Sequence, residues 1–88
     1  MIFLSYNWKD HVAAHAIDVS LRGLGIDVWI DFRKLDPRSN IAQQLDIAIR
    51  NCSLFFAIQS SQRHNSAWMD LEFLIARKHA KPILQLVT

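Results

Sequence analysis

Leu54-Phe55-Phe56-Ala57-Ile58 is an unbroken apolar run with Ser53 on one side and Gln59 on the other. A strand carries no polar alternation when both of its faces are covered, which is the situation of a central strand in a parallel sheet. Its length and aromatic content favour strand over buried helix. Upstream, Asn40 with Gln43 has capping-box spacing and opens a helix whose apolar face is Ile41, Leu45, Ala48 and Ile49. Downstream, the hydrophilic stretch Gln59 to Ser66 reads as a loop. Ser66 is then the expected cap of a helix reaching about Ala80, and Pro82 introduces a further strand, Ile83-Leu84-Gln85-Leu86-Val87.

Toward the N-terminus the same alternation repeats. Ile2-Phe3-Leu4 is a short buried strand that breaks at Ser5-Tyr6-Asn7. Asn7, with Asp10 three residues on, is the expected cap of a helix with apolar positions Val12, Ala16, Ile17, Leu21 and Leu24, and Gly25 is its expected C′ stop. Ile26-Asp27-Val28-Trp29-Ile30 alternates as a strand, and the polar, Pro37-containing stretch Asp31 to Asn40 reads as a loop. The order is βαβαβαβ. Right-handed crossovers make this an α/β fold, a parallel sheet with helices on both faces. Ligands of such sheets bind outside the carboxyl ends of the strands. The segments expected there are Ser5–Trp8, Asp31–Asn40 and Gln59–Ser66.

Composition narrows the class. Apolar residues make up 51% and charged residues 20%, which suits a globular domain and excludes disorder. No apolar run approaches the ~18 residues a membrane span needs, and no membrane partner is expected. The start, Met1-Ile2-Phe3-Leu4-Ser5, has neither a basic n-region nor a cleavage site, so no signal peptide is expected. A single cysteine allows no intramolecular disulfide and points to the reducing cytoplasm. The formal charge of +2, with both signs interspersed, gives no case for nucleic acid.

The most informative constellation is Ser66-Ala67-Trp68-Met69-Asp70-Leu71-Glu72. On a helix, Trp68 and Glu72 share a face. An aromatic plane beside a carboxylate at a cleft mouth suits a glycosidic bond that breaks through an oxocarbenium-like state. From spacing alone, a core tryptophan beside a solvated glutamate is the favoured reading. The loop cations Arg33, Lys34 and Arg38 could receive phosphates, though no glycine-rich cradle accompanies them. His11 and His15 lie one helical turn apart without a third ligand or an HExxH pattern, so no metal site is expected. Cys52, with no His or Lys in view to activate it, reads as a structural buried thiol.

Taken in order, these segments resemble the TIR (Toll/interleukin-1 receptor) domain family, in particular its bacterial members with a WxxxE motif. The resemblance rests on Phe3-Leu4-Ser5-Tyr6 followed by Asp10, and on Leu24-Gly25-Ile26-Asp27-Val28-Trp29-Ile30-Asp31 leading into the BB loop. It continues through Ile47-Ala48-Ile49-Arg50-Asn51-Cys52-Ser53, Ser60-Ser61 and the Trp68-to-Glu72 motif. It implies a flavodoxin-like sheet, here truncated to about four strands and three helices, with residues 1–88 forming a single domain that lacks the C-terminal part of the fold. Two departures stand out. Pro37 is followed by Arg38 where many members have Pro-Gly, a position that then does not favour positive φ. Ile83 to Val87 would also be an uncovered apolar edge.

The resemblance implies one of two activities. The first is NAD+ glycohydrolase chemistry, which cleaves the nicotinamide–ribose bond and releases nicotinamide with ADP-ribose or a cyclised product, in bacterial immune or cell-death signalling. NAD+ is then a substrate, and no cofactor is expected. Glu72 would be the catalytic residue, stabilising the ribosyl cation or holding the ribose hydroxyls. Trp68 would pack by the nucleotide, Ser5 and Tyr6 would line the nicotinamide end, and Phe32, Arg33 and Lys34 would face base and phosphates. The second activity is a non-enzymatic scaffold that associates with other TIR domains as a homo-oligomer. A nucleoside deoxyribosyltransferase-like enzyme is a third reading that fits the carboxylate but not the surrounding signatures.

Overall fold

A computed structural model describes residues 1–59 and 67–87. Ser66 as a helix cap, Ser60-Ser61 and most of the expected third loop lie outside the described residues. Four parallel strands, β1 (Ile2–Tyr6), β2 (Val28–Trp29), β3 (Leu54–Gln59) and β4 (Ile83–Val87), form one sheet in the order β2-β1-β3-β4. A single 3-10 turn, Trp8–Asp10, leads into α1 (His11–Gly23). The remaining helices are α2 (Asp31–Lys34), α3 (Ile41–Asn51) and α4 (Ala67–Lys78).

The apolar run that decided the fold is indeed central. β3 pairs with β1 from Ile2↔Leu54 to Tyr6↔Ile58 and with β4 from Phe55↔Ile83 to Gln59↔Val87. Its alternate residues feed two cores, because successive side chains on a strand point to opposite faces. On one face, Phe3 stacks between Trp29 and Phe55 at 4.7 and 5.4 Å, and α3 and α4 cover this aromatic row with Leu45, Ile49, Phe73 and Ala76. On the other, Leu4, Tyr6, Val28, Ile30 and Ile58 pack with Ala14 of α1. Helices therefore lie on both faces. β4 has only β3 beside it, and all five of its residues are exposed.

Several local expectations change. Asn7 caps the 3-10 turn rather than α1, its side chain accepting from Lys9 N at 3.0 Å. The second strand is two residues long rather than spanning Ile26 to Ile30, because only Val28 and Trp29 find partners on β1. The Asp31–Asn40 stretch is not all loop. Its first four residues turn into α2, with Lys34 N bonded to Ile30 O and Leu35 N to Asp31 O.

Other signals correspond to what is seen. Asn40 accepts from Gln43 N at 3.0 Å and starts α3. Gly25 sits at φ 81° past the end of α1, where Ile26 N closes onto Leu21 O. α4 closes in the same way through Lys81 N to Ala76 O, but there Ala80 occupies the left-handed position at φ 52°. Among the described residues no other non-glycine has positive φ, so Arg38 after Pro37 keeps ordinary backbone geometry.

Candidate active site

The chain runs from β1 outward to β2, then returns past β1 to β3 and on to β4. The direction of winding reverses between β1 and β3, and the crevice of a doubly wound sheet opens at such a point. Ser5 and Tyr6 end β1 there, Asp31 follows β2, and α4 begins at the same edge with Trp68 in its first turn.

Strand alternation sends Ser5 and Tyr6 to opposite faces. Ser5 points toward α4, and its hydroxyl donates to Glu72 Oε1 at 2.9 Å. Glu72 is 2% exposed, so the reading of a solvated helix residue does not hold. Burial pushes its pKa up to about 8, with the Ser5 hydrogen bond pulling down and the charge of Asp31 pushing up. At neutral pH the carboxyl is mostly protonated. Tyr6 reaches over the strand end to donate to Asp31 Oδ1 at 2.8 Å. Burial, then that hydrogen bond and the charges of Asp31 and Glu72, hold the phenol above its ordinary pKa.

A cavity of about 360 Å³ opens beside this pair, lined by Tyr6, Trp8, Asp31, Leu35 and Trp68. Trp68 is half-buried and also packs against the aromatic core, so it serves both structure and cavity wall. Trp8 is 73% exposed and stacks on His11 at 4.4 Å, and His15 packs in turn on Phe32. His11 and His15 thus belong to an aromatic row across α1. Among the described residues no cluster of three His, Cys, Asp or Glu side chains is placed to hold a metal ion.

The three residues expected to meet base and phosphates fare differently. Phe32 and Lys34 are exposed. Arg33 is engaged elsewhere, donating to Asp18 Oδ2 and to Val28 O, each at 2.7 Å. Asp18, buried in α1, also accepts from Arg22. Further along, the Gln44 side chain clasps the Asp36 backbone from both sides, at 2.8 and 2.7 Å. Arg33 and Gln44 therefore fix the two ends of the segment that carries Leu35 to the cavity. Cys52 is buried, and burial, only partly offset by Lys81 and the N-terminus, raises its thiol pKa.

Asp31, Trp8 and Leu35 were not singled out as site residues from sequence. The available signal was position: Asp31 is the second residue past the carboxyl end of β2, where parallel sheets place their ligand groups.

A parallel sheet in the order β2-β1-β3-β4 with helices on both faces defines the class of doubly wound α/β domains, whose ligands bind at the strand ends. The match to a family model described as the TIR domain, over residues 2–87, makes the assignment specific: this chain belongs to the TIR domain family. No curated protein matches the chain. The family includes both NAD+ hydrolases and scaffolds that associate with other TIR domains. No helix among the described residues is long and apolar enough to cross a membrane.

Proposed function

We propose that the chain is an NAD+ glycohydrolase whose catalytic carboxylate is Glu72. The observation that carries this reading is a glutamate 2% exposed at the switch point, held by one hydroxyl and raised to about 8. A structural role would favour an apolar side chain here or a paired charge, because an unpaired buried carboxyl is costly in its ionised form. Strongly perturbed groups in clefts are candidates for chemistry.

In the proposed reaction the bond between ribose C1′ and the pyridinium nitrogen breaks heterolytically. Its electron pair goes to the ring nitrogen, nicotinamide leaves neutral, and positive charge develops on the ribosyl group. That charge favours the ionised form of Glu72, so the carboxyl releases its proton to solvent before the bond breaks and, as the carboxylate, stabilises the cation as it forms. Water adds to C1′ to give ADP-ribose, releasing a proton. In a cyclised product an adenine nitrogen would attack instead. Tyr6 and Trp68 wall the nicotinamide end, Ser5 holds Glu72 from the opposite face of β1, and Phe32 and Lys34 form the exposed rim, while Arg33 holds α2 in place. We place this activity in cytoplasmic immune or cell-death signalling.

Incubation of the protein with NAD+ across a range of protein concentrations, following nicotinamide release, tests the reading. Release that disappears in Glu72→Gln supports it; release unchanged in that variant removes Glu72 from the chemistry.

A second reading, association with other TIR domains without turnover, is favoured by one observation. Ile83, Leu84, Leu86 and Val87 leave an apolar strand exposed at the sheet edge. Concentration-dependent self-association with no nicotinamide release would select it.

A further inference from the structure

The cavity has an unusual lining. Among the described residues that line it, Tyr6, Trp8 and Trp68 are aromatic, Leu35 is aliphatic, and Asp31 supplies the only carboxylate. The Asp31 carboxylate is held in place on one side only. Oδ1 accepts from Tyr6 Oη and from its neighbour Phe32 N, each at 2.8 Å. Among the described residues Oδ2 has no hydrogen-bond partner. Aromatic faces attract cations through their quadrupoles, and a fixed anion beside them adds a direct charge interaction. An aromatic box with one anchored carboxylate is complementary to a flat organic cation.

We propose that Asp31 is a specificity-determining residue, fixed by Tyr6 in the wall of this aromatic cavity so that the site selects a cationic pyridinium ring over neutral rings of the same shape. The inference deepens the NAD+ reading and rests on it for the identity of the ring, but the cation preference is a property of the cavity whether or not turnover occurs. It also assigns the two acidic groups different tasks. The positive charge lies on the pyridinium before cleavage and on the ribosyl group as the bond breaks. Asp31 therefore acts on the bound substrate and Glu72 on the transition state. Once the bond has broken, the ring is neutral and Asp31 no longer holds it, which favours departure of the product.

The probes are 1-methylnicotinamide, permanently cationic at its quaternised ring nitrogen, and nicotinamide, its neutral counterpart, measured by titration calorimetry on the whole chain. The wild type is expected to bind the cation roughly 5- to 30-fold more tightly, the range of a cation–aromatic contact reinforced by a charge. Asp31→Asn keeps the shape and the acceptor for Tyr6 and is expected to lower the ratio several-fold, leaving the smaller preference that the aromatic faces supply. Tyr6→Phe keeps the ring but frees the carboxylate, and is expected to reduce the ratio in part. Raising ionic strength should shrink the wild-type ratio, a check that needs no variant to fold.

Equal binding of the two probes by the wild type overturns the proposal, as does a preference that is undiminished in Asp31→Asn or by salt. Cation preference together with no NAD+ cleavage would leave this inference standing and overturn the enzymatic reading instead. Where cleavage is seen, Asp31→Asn should raise KM and kcat together, several-fold, because the lost contact is made with the bound substrate and not in the transition state. A fall in kcat with KM unchanged would also overturn it.

Discussion

Asp18 and Glu72 are both closed off from solvent, at 1% and 2% exposure, but Glu72 lies far deeper in the protein and the two carboxyls are shifted in opposite directions. Burial alone would raise both. At Asp18 the hydrogen bonds and charges of Arg33 and Arg22 overcome it and keep the carboxyl below its ordinary pKa. At Glu72 the one opposing contact is the Ser5 hydroxyl, and the carboxyl rises to about 8. The first arrangement ties α2 to α1 and is finished as it stands. The second leaves a carboxyl whose charge is uncompensated, at the point where the sheet opens to a ligand. The contrast separates an acid paired within the fold from the acid that we propose carries the chemistry, without appeal to sequence motifs.

The largest expected effect breaks the reactive half. Glu72→Gln should lower NAD+ cleavage by about 10²-fold or more, the scale of losing one preorganised transition-state group. It should also stabilise the fold near pH 8. In the wild type the folded-state pKa lies above the unfolded value of 4.5, so the stability linked to Glu72 is fully present below pH 4.5 and is lost as pH rises toward 8. Gln carries no such loss but leaves an amide N–H₂ to satisfy. A net gain of about 1–3 kcal/mol is expected at pH 8, fading as pH falls toward 4.5. Thermal unfolding of both proteins across that range measures it. A variant less stable than wild type at every pH would break the comparison.

The structural half is next. Asp18→Ala removes the shared acceptor of Arg33 and Arg22, and a loss of about 2–4 kcal/mol is expected by denaturant unfolding. Its pH signature has the opposite sign: because the folded pKa is depressed, stability is present above the unfolded value of 3.8 and lost as pH falls through the lower folded value. Cleavage per folded molecule should change less than in Glu72→Gln. The smallest effect sharpens the link between Glu72 and its partner. Ser5→Ala removes the hydrogen bond that favours the charged form, so the acid limb of kcat/KM should move to higher pH, with about 1 kcal/mol lost in stability. A limb that stays in place would mean that Ser5 does not tune Glu72.

How far these features could be read in advance depended on how local they are. The β3 run and the periodicity of α3 are local and were legible, as was the place of Trp68 and Glu72 on one helix face. The burial of Glu72 was not, because spacing gives a shared face and not which way it turns. The clearest gap lies around Arg33. As a loop cation it looks available to phosphate, but its acceptors, Asp18 on α1 and Val28 O on β2, come together only when the sheet and helix are assembled. The same contacts explain why a polar stretch forms α2. Asp31 was missed for a related reason: its partner Tyr6 is on another strand. Its position at a strand end was the one local clue.

The claim at the centre of the account is that Glu72 is neutral at rest in a crevice prepared to ionise it. Glu72 is the only glutamate in the sequence, so a ¹³C NMR titration of the glutamate side-chain carboxyl tests it directly. The account predicts a midpoint near 8. A midpoint near the ordinary 4.5 would contradict it, and with it the distinction between the two buried acids.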